Sequence, residues 1–240
     1  MTVEFPLLLV IAYLLGSVPT AYLVAKWRRG IDIRRFGSGN VGLSNAVASG
    51  SRWTIFIVIS IDFLKGAVPV FLAGSYVIGL PLYQQIIIGL AAICGHNWPI
   101  YLRFSGGRGV LTTLGVLFPL VPWLAITALA LNCIFLPFRQ FALGTFLVLI
   151  ILPFLSWFTG SLFRIEQSVT LTLGITAIAL LLFVRRLTAP RTEFSTTVSA
   201  GQLLFNRLLL DRDIRDRKKW LSRKPPEMMP KENIRKDNSK

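Results

Sequence analysis

Long apolar runs alternate with short polar connections along most of this chain, and the runs define the elements it is expected to form. A helix needs roughly 17–25 apolar residues to cross the hydrocarbon core of a bilayer. The first run covers about residues 5–27 and is interrupted by Gly16-Ser17-Val18-Pro19-Thr20, where proline removes a backbone donor and kinks a helix. The second, at about 53–78, carries Asp62, Lys65 and Gly66 within its apolar sequence. Ionisable residues inside a span are expensive, and these two lie three apart on one helix face, where they can neutralise each other. The third, at about 82–102, follows a turn at Gly79-Leu80-Pro81. The run over 110–138 holds Pro119 and Pro122, so it divides into a short span ending near Leu120 and another starting near Trp123. Two more spans cover about 141–163 and 169–187. The pattern predicts an all-α polytopic integral membrane protein with seven transmembrane helices. One long kinked helix over 110–138 is the alternative, and it would invert everything after it.

Composition supports the membrane class. Hydrophobic residues make up 53% of the 240 and charged residues only 15%, against about a quarter charged in soluble domains. Mean hydropathy is +0.62. The formal charge of +15 fits cytoplasmic loops and anionic headgroups in such a chain, so nucleic acid is set aside. Lys26, Arg28 and Arg29 directly after the first run place that end in the cytoplasm and the N-terminus outside. With the run over 110–138 divided, Arg164 is the one residue of 26 Lys and Arg left outside, and the C-terminus is cytoplasmic. Undivided, the basic tail would lie outside, against the positive-inside bias. Glu4 precedes the first run with no basic n-region, which reads as a retained span and not a cleaved signal peptide.

The domain division follows. Residues 1–187 form the seven-span membrane domain, and 188–240 a basic cytoplasmic tail. Within the tail, about 202–221 carries Leu203, Leu204, Phe205, Leu208, Leu209, Ile214 and Trp220 among many charges, the pattern of an interfacial amphipathic helix. The polar, proline-containing remainder is expected to be disordered. No internal repeat points to a transporter built from inverted halves. Cys94 and Cys133 lie in apolar stretches without CxxC spacing, and one histidine with scattered carboxylates argues against a bound metal.

Three polar features converge on the cytoplasmic face. The loop over 37–45, GSGNVGLSN, combines turn-forming glycines with short neutral donors, and Arg34, Arg35 and Arg52 flank it. Such a loop cradles phosphate on backbone N–H groups, or it is an ordinary inter-helix turn. Ser105-Gly106-Gly107-Arg108-Gly109 opens the fourth span, aiming a helix N-terminus and an arginine at an anion. It lacks the GxxxxGK[ST] spacing of a Walker A loop, so an ATPase is not inferred. Asp62 and Lys65 form the third feature, read as a structural buried pair or a substrate contact. His96, near a helix end, is either a structural hydrogen-bonder or a residue lining the site.

On GSVPTAYLVAK, IDIRRFGSGNVGLSN, DFLKGAVPV and GHNWPIYLRFSGGRGVLTTLG, the chain resembles the acyl-phosphate-dependent glycerol-3-phosphate acyltransferases, the PlsY family of bacterial phospholipid synthesis. The resemblance implies a multi-pass enzyme of the bacterial inner membrane with its active site facing the cytoplasm. It implies acyl transfer from acyl phosphate to the 1-hydroxyl of glycerol 3-phosphate, giving lysophosphatidate and phosphate, with no cofactor and with membrane lipids in contact. Ser38, Asn40 and Asn45 would serve the acyl-transfer centre. Gly37, Gly39, Gly42, Arg52, Asp62, Lys65, His96, Ser105, Gly106, Gly107, Arg108 and Gly109 would bind substrate. The family's first motif usually reads SGNPGATN with an arginine after two more residues. Val41, Leu43, Ser44 and Ala48 depart from it here, and Arg52 lies one turn on from Ala48. The usual FKGGKG is FSGGRG, and the third motif, His-Arg-x-Asn, is replaced by FVRRLTAPRTEF, leaving Asn206, Arg207 and Arg212 of the tail as candidate substitutes. A relative with a changed acceptor or donor, and a non-catalytic protein binding lipid intermediates, are the competing readings.

Overall fold

The computed structural model describes residues 3–30, 32–35, 41–42, 52–74, 76–162 and 166–222. Every regular element among them is helical. The α-helices are α1 Glu4–Ser17, α2 Thr20–Arg29, α3 Arg52–Ala73, α4 Leu82–Asn97, α5 Val110–Leu120, α6 Pro122–Ile134, α7 Phe141–Leu162, α8 Ser168–Leu187, α9 Ala200–Leu210 and α10 Arg217–Leu221. By length and composition, four stretches among the described residues can cross a membrane: Glu4–Arg28, which takes in α1 and α2, Trp53–Ala73, Phe141–Leu162 and Ser168–Leu187. Large apolar side chains face outward on them, with Phe154 71% and Leu173 65% exposed. Lipid, not water, is the solvent such a surface suits.

Both proline-marked breaks occur. The first run parts at Val18 and Pro19 between α1 and α2, and the run over 110–138 parts at Val121 between α5 and α6. Two spans end earlier than their hydropathy predicts. The third stops at Asn97, not near 102, because Trp98 precedes Pro99 and is driven out of the helical region (φ −132, ψ 69). The second stops at Ala73, not near 78: the chain turns back, so that the N–H groups of Ile78 and Leu80 donate to the carbonyls of Leu72 and Ala73. In the tail, the single helix expected over 202–221 is instead two, α9 and α10. Asp211 takes the left-handed conformation (φ 51) that ends α9.

Small residues set the closest helix pairs, as they do where lipid tails compete for every apolar surface. On the α1–α4 interface, a Cβ on Gly16 would run into the Ala92 carbonyl and one on Gly95 into the Tyr13 carbonyl. The α3–α5 interface repeats the device, with Gly66 against the Thr112 carbonyl and Gly115 against that of Phe63. Ile88, Ile93, Leu117 and Leu124 fill the core between.

Two adjacent arginines reveal the path of the chain. Arg185 binds the carbonyls of Gly106 and Gly107, just before α5, while Arg186 donates to the carbonyl of Ala142 at the start of α7 (2.9 Å). The chain therefore leaves this end of the bundle at α5 and returns to it before α7. α5 and α6 form an out-and-back pair, the divided arrangement and not the single kinked helix.

Candidate functional site

The break between α1 and α2 is where the site begins. Ending a helix inside a bilayer exposes carbonyls that need a donor. Lys65 of α3 supplies one: its Nζ lies 3.1 Å from the Val18 carbonyl oxygen and 2.8 Å from Asp62 Oδ1. Both side chains are almost wholly buried. The i, i+3 spacing thus forms the expected pair, and the pair in turn ties α3 to the break.

His96 enters from the last turn of α4. Its Nδ1 is 3.9 Å from Asp62 Oδ1, too far for a hydrogen bond, and has no other partner among the described residues. The loop before α5 lies directly on this imidazole. Gly107 N–H donates to the His96 carbonyl (3.1 Å). A Cβ on Gly107 would collide with His96 Nε2, and one on Gly106 with the His96 carbonyl and Pro99. Close approach, not backbone dihedral, requires glycine at these two positions. Gly109 differs: its φ of 72 starts α5 from the left-handed region.

Arg185, 2% exposed at the last turn of α8, holds the loop from the other side. Its Nε donates to the Gly107 carbonyl (2.9 Å) and its Nη2 to that of Gly106 (2.6 Å). The guanidinium also stacks 5.7 Å from the centre of the Trp98 ring. With both carbonyls turned to Arg185, the loop is held rigidly at the N-terminus of α5, where free N–H groups and the helix dipole favour an anion.

A pocket opens among these pieces. Gly16, Ser17, Val18, Pro19 and Thr20 line it from the α1–α2 break, Asp62 and Lys65 from α3, His96 and Pro99 from the end of α4, Gly106 and Gly107 from the loop, and Val41 from the first glycine-rich loop. Five of the expected substrate-binding residues, Asp62, Lys65, His96, Gly106 and Gly107, thus meet in one place. Gly42 is buried beside Val41. Ser105, Arg108 and Gly109 belong to the same loop without lining the pocket. Gly37, Ser38, Gly39, Asn40 and Asn45 lie outside the described residues, as does the side chain of Arg52.

The tail reaches the loop by a residue other than those named for it. Arg108 Nε pairs with Asp211 Oδ1 at 2.6 Å. Asn206 and Arg207 are instead spent on anchoring. Arg207 donates to Asp213 (2.8 Å) and to the carbonyls of Leu187 (2.8 Å) and Ala189 (2.9 Å), and Asn206 donates to the Asp213 carbonyl (3.0 Å). Burial alone would raise the Asp213 carboxyl, but hydrogen bonds from Arg207, Thr192 and Ser195 hold it below its ordinary 3.8. Arg185 and Asp211 were not singled out from the sequence. Two arginines closing an apolar span signal topology first, and Asp211 is one of several tail carboxylates.

Comparison with known proteins bears on the same region. A family model for glycerol-3-phosphate acyltransferase matches residues 6–191. The chain is 46% identical over 223 residues to glycerol-3-phosphate acyltransferase 5 of Dehalococcoides mccartyi, covering 93% of this chain and 95% of that one. It is 42% identical over 158 residues to glycerol-3-phosphate acyltransferase 2 of Moorella thermoacetica, covering 62% and 76%. Among solved structures it is similar to PlsY, an integral membrane glycerol 3-phosphate acyltransferase, in its glycerol 3-phosphate form. That likeness has a TM-score of 0.67 and 32% identity over 76% of this chain and 88% of the other. The lysophosphatidic acid form of PlsY matches with a TM-score of 0.65 and 31% identity, covering 76% and 87%.

Proposed function

The chain belongs to the glycerol-3-phosphate acyltransferase family, and from that premise we propose that it transfers a fatty acyl group from acyl phosphate to the 1-hydroxyl of glycerol 3-phosphate. The observation that carries this reading is the pocket shared by the two glycine-rich loops, Val41 from one and Gly106 and Gly107 from the other, with Lys65 and His96 between them. An acyl phosphate is a mixed anhydride with a good leaving group. The site's task is to bring two anions together and to stabilise charge as it develops. In the reaction the substrate hydroxyl oxygen bonds to the acyl carbon, the bond from that carbon to the phosphate oxygen breaks, and the hydroxyl proton leaves on the released phosphate. Atoms balance without a metal or cofactor.

The residues divide by loop. Ser38, Asn40 and Asn45, with Gly37, Gly39 and Gly42, serve the acyl-transfer centre, with Arg52 supplying a cation beside it. Ser105, Gly106, Gly107, Arg108 and Gly109 hold the phosphate of glycerol 3-phosphate at the start of α5. Asp62, Lys65 and His96 form the wall between the two. The acyl chain extends between helices into lipid. The enzyme crosses a bacterial inner membrane seven times, counting α5 and α6 separately, with this site at the cytoplasmic face and residues 188–240 as a cytoplasmic tail.

The test is acyl transfer by the purified protein from acyl phosphate or acyl-CoA to radiolabelled glycerol 3-phosphate. Lysophosphatidate should form from acyl phosphate alone. Gly107→Ala, whose methyl falls on His96, should lose about 100-fold in rate while remaining folded, since misplacement of this order costs that much. Product from acyl-CoA alone overturns the donor, and no product from either donor overturns the activity.

A further inference from the structure

The family match ends at residue 191, yet a residue twenty positions further on touches the glycine loop. We propose that the tail contributes Asp211 to the site as an internal competitor of the substrate phosphate: its carboxylate occupies Arg108 in the empty site and yields it to an incoming phosphate. The inference rests on the phosphate-binding role assigned above to residues 105–109.

Delivery of the carboxylate is built into the fold. α9 packs on α7 and α8, and Arg186 donates to the Leu208 carbonyl three residues before Asp211. Two residues after it, Asp213 accepts from Arg207 (2.8 Å), Thr192 (2.6 Å) and Ser195 (2.7 Å). Held on both sides, Asp211 is fixed in the left-handed conformation at the end of α9 (φ 51) and its side chain meets Arg108 at 2.6 Å. None of these anchors uses the Asp211 carboxylate. It can therefore leave Arg108 by side-chain rotation while the tail stays docked, and 18% exposure gives it a route into solvent.

Charge explains why an anion belongs there. Arg108 and Arg185 both bear on one loop, the first through its own pairing with Asp211 and the second on the carbonyls of Gly106 and Gly107. Without a substrate, that concentration of guanidinium groups is offset by Asp211. A phosphate arriving at the loop brings more charge than one carboxylate and takes the same arginine. The price is affinity, since each binding event must displace Asp211.

The sign of the effect separates competition from a structural role. Binding of inorganic phosphate to the purified full chain in detergent, followed by isothermal calorimetry, is expected to tighten about tenfold in Asp211→Asn, and Asp211→Glu should stay near the parent. In an Arg108→Ala background, Asp211→Asn should change nothing, because the competed group is gone. Weakened or unchanged phosphate binding in Asp211→Asn overturns the proposal, as does tightening that persists without Arg108 or an absence of phosphate binding in every variant. The acyl-transfer assay reads the proposed function separately. Transfer with unaltered phosphate affinity leaves that function standing and this inference lost, and tightened affinity without transfer does the reverse.

Discussion

Lys65 satisfies two demands at once, the charge of Asp62 and the carbonyl left at Val18 by the helix break. A buried ion pair contributes little net stability compared with apolar groups of the same shape, but removing one partner strands the other at a cost of about 3–5 kcal/mol. Lys65→Met should therefore destabilise the protein by about that amount, read as a large fall in thermal midpoint in detergent. Asp62→Asn in the same molecule should recover much of the loss, leaving the cost of the Val18 carbonyl. Equal losses in the single and double variants would mean that the two side chains are not coupled. The pair was legible in the sequence, because i, i+3 spacing on an apolar helix leaves two charges few other partners. Its second duty was not, since the acceptor lies 47 residues away.

At the scale of elements, the loop before α5 is shaped by what holds it. Arg185 reaches two adjacent carbonyls with one planar group, a geometry that a lysine ammonium cannot reproduce. Arg185→Lys keeps the charge and should still lower kcat/KM about 10- to 100-fold, from the loss of one or two charge-assisted hydrogen bonds that orient the loop. Activity equal to the parent would show that the loop needs charge alone. The tail helix α9 depends likewise on Asp213. A carboxyl held below 3.8 in the folded protein stabilises fully above that value and loses its contribution as pH falls through its folded pKa. Hydrogen exchange across residues 192–213 should be insensitive to tail release from about pH 5 to 8 and should rise below about pH 4. Asp213→Asn should show the released behaviour at neutral pH, and protection unchanged there would rule out the anchoring role. Prolines announced both helix breaks, because a missing N–H is a local fact. The division of the tail at Asp211 was hidden, because hydrophobic periodicity continues across it and only docking onto α8 selects the turn.

The whole molecule must resolve a mismatch of length. At 1.5 Å per residue, α5 with 11 residues and α6 with 13 extend about 16 and 20 Å, short of a hydrocarbon core of about 30 Å. Each can cross only where the bilayer is locally thinned around it. What decides the topology is parity, and parity follows from the paired arginines: the chain departs from the Gly106–Gly107 end and is back at Ala142, at the same end. The loop at Arg139, the end of α8 and the tail therefore share one end of the bundle, whatever depth the α5–α6 pair reaches. Under the topology proposed above, the positive-inside bias would make the end that carries Arg103, Arg108, Arg185 and Arg186 the cytoplasmic one. A fluorescent protein that matures only in the cytoplasm should thus be bright when fused at the C-terminus or inserted after Arg139. A phosphatase active only outside the inner membrane should be active when inserted at residues 164–166 and inactive at the other two sites. Phosphatase activity at both of those sites, with fluorescence at 164–166, would place Arg139 and the tail outside together. That result would make the α5–α6 pair a single crossing and remove the tail, with Asp211, from the face of the membrane where the glycine loops lie.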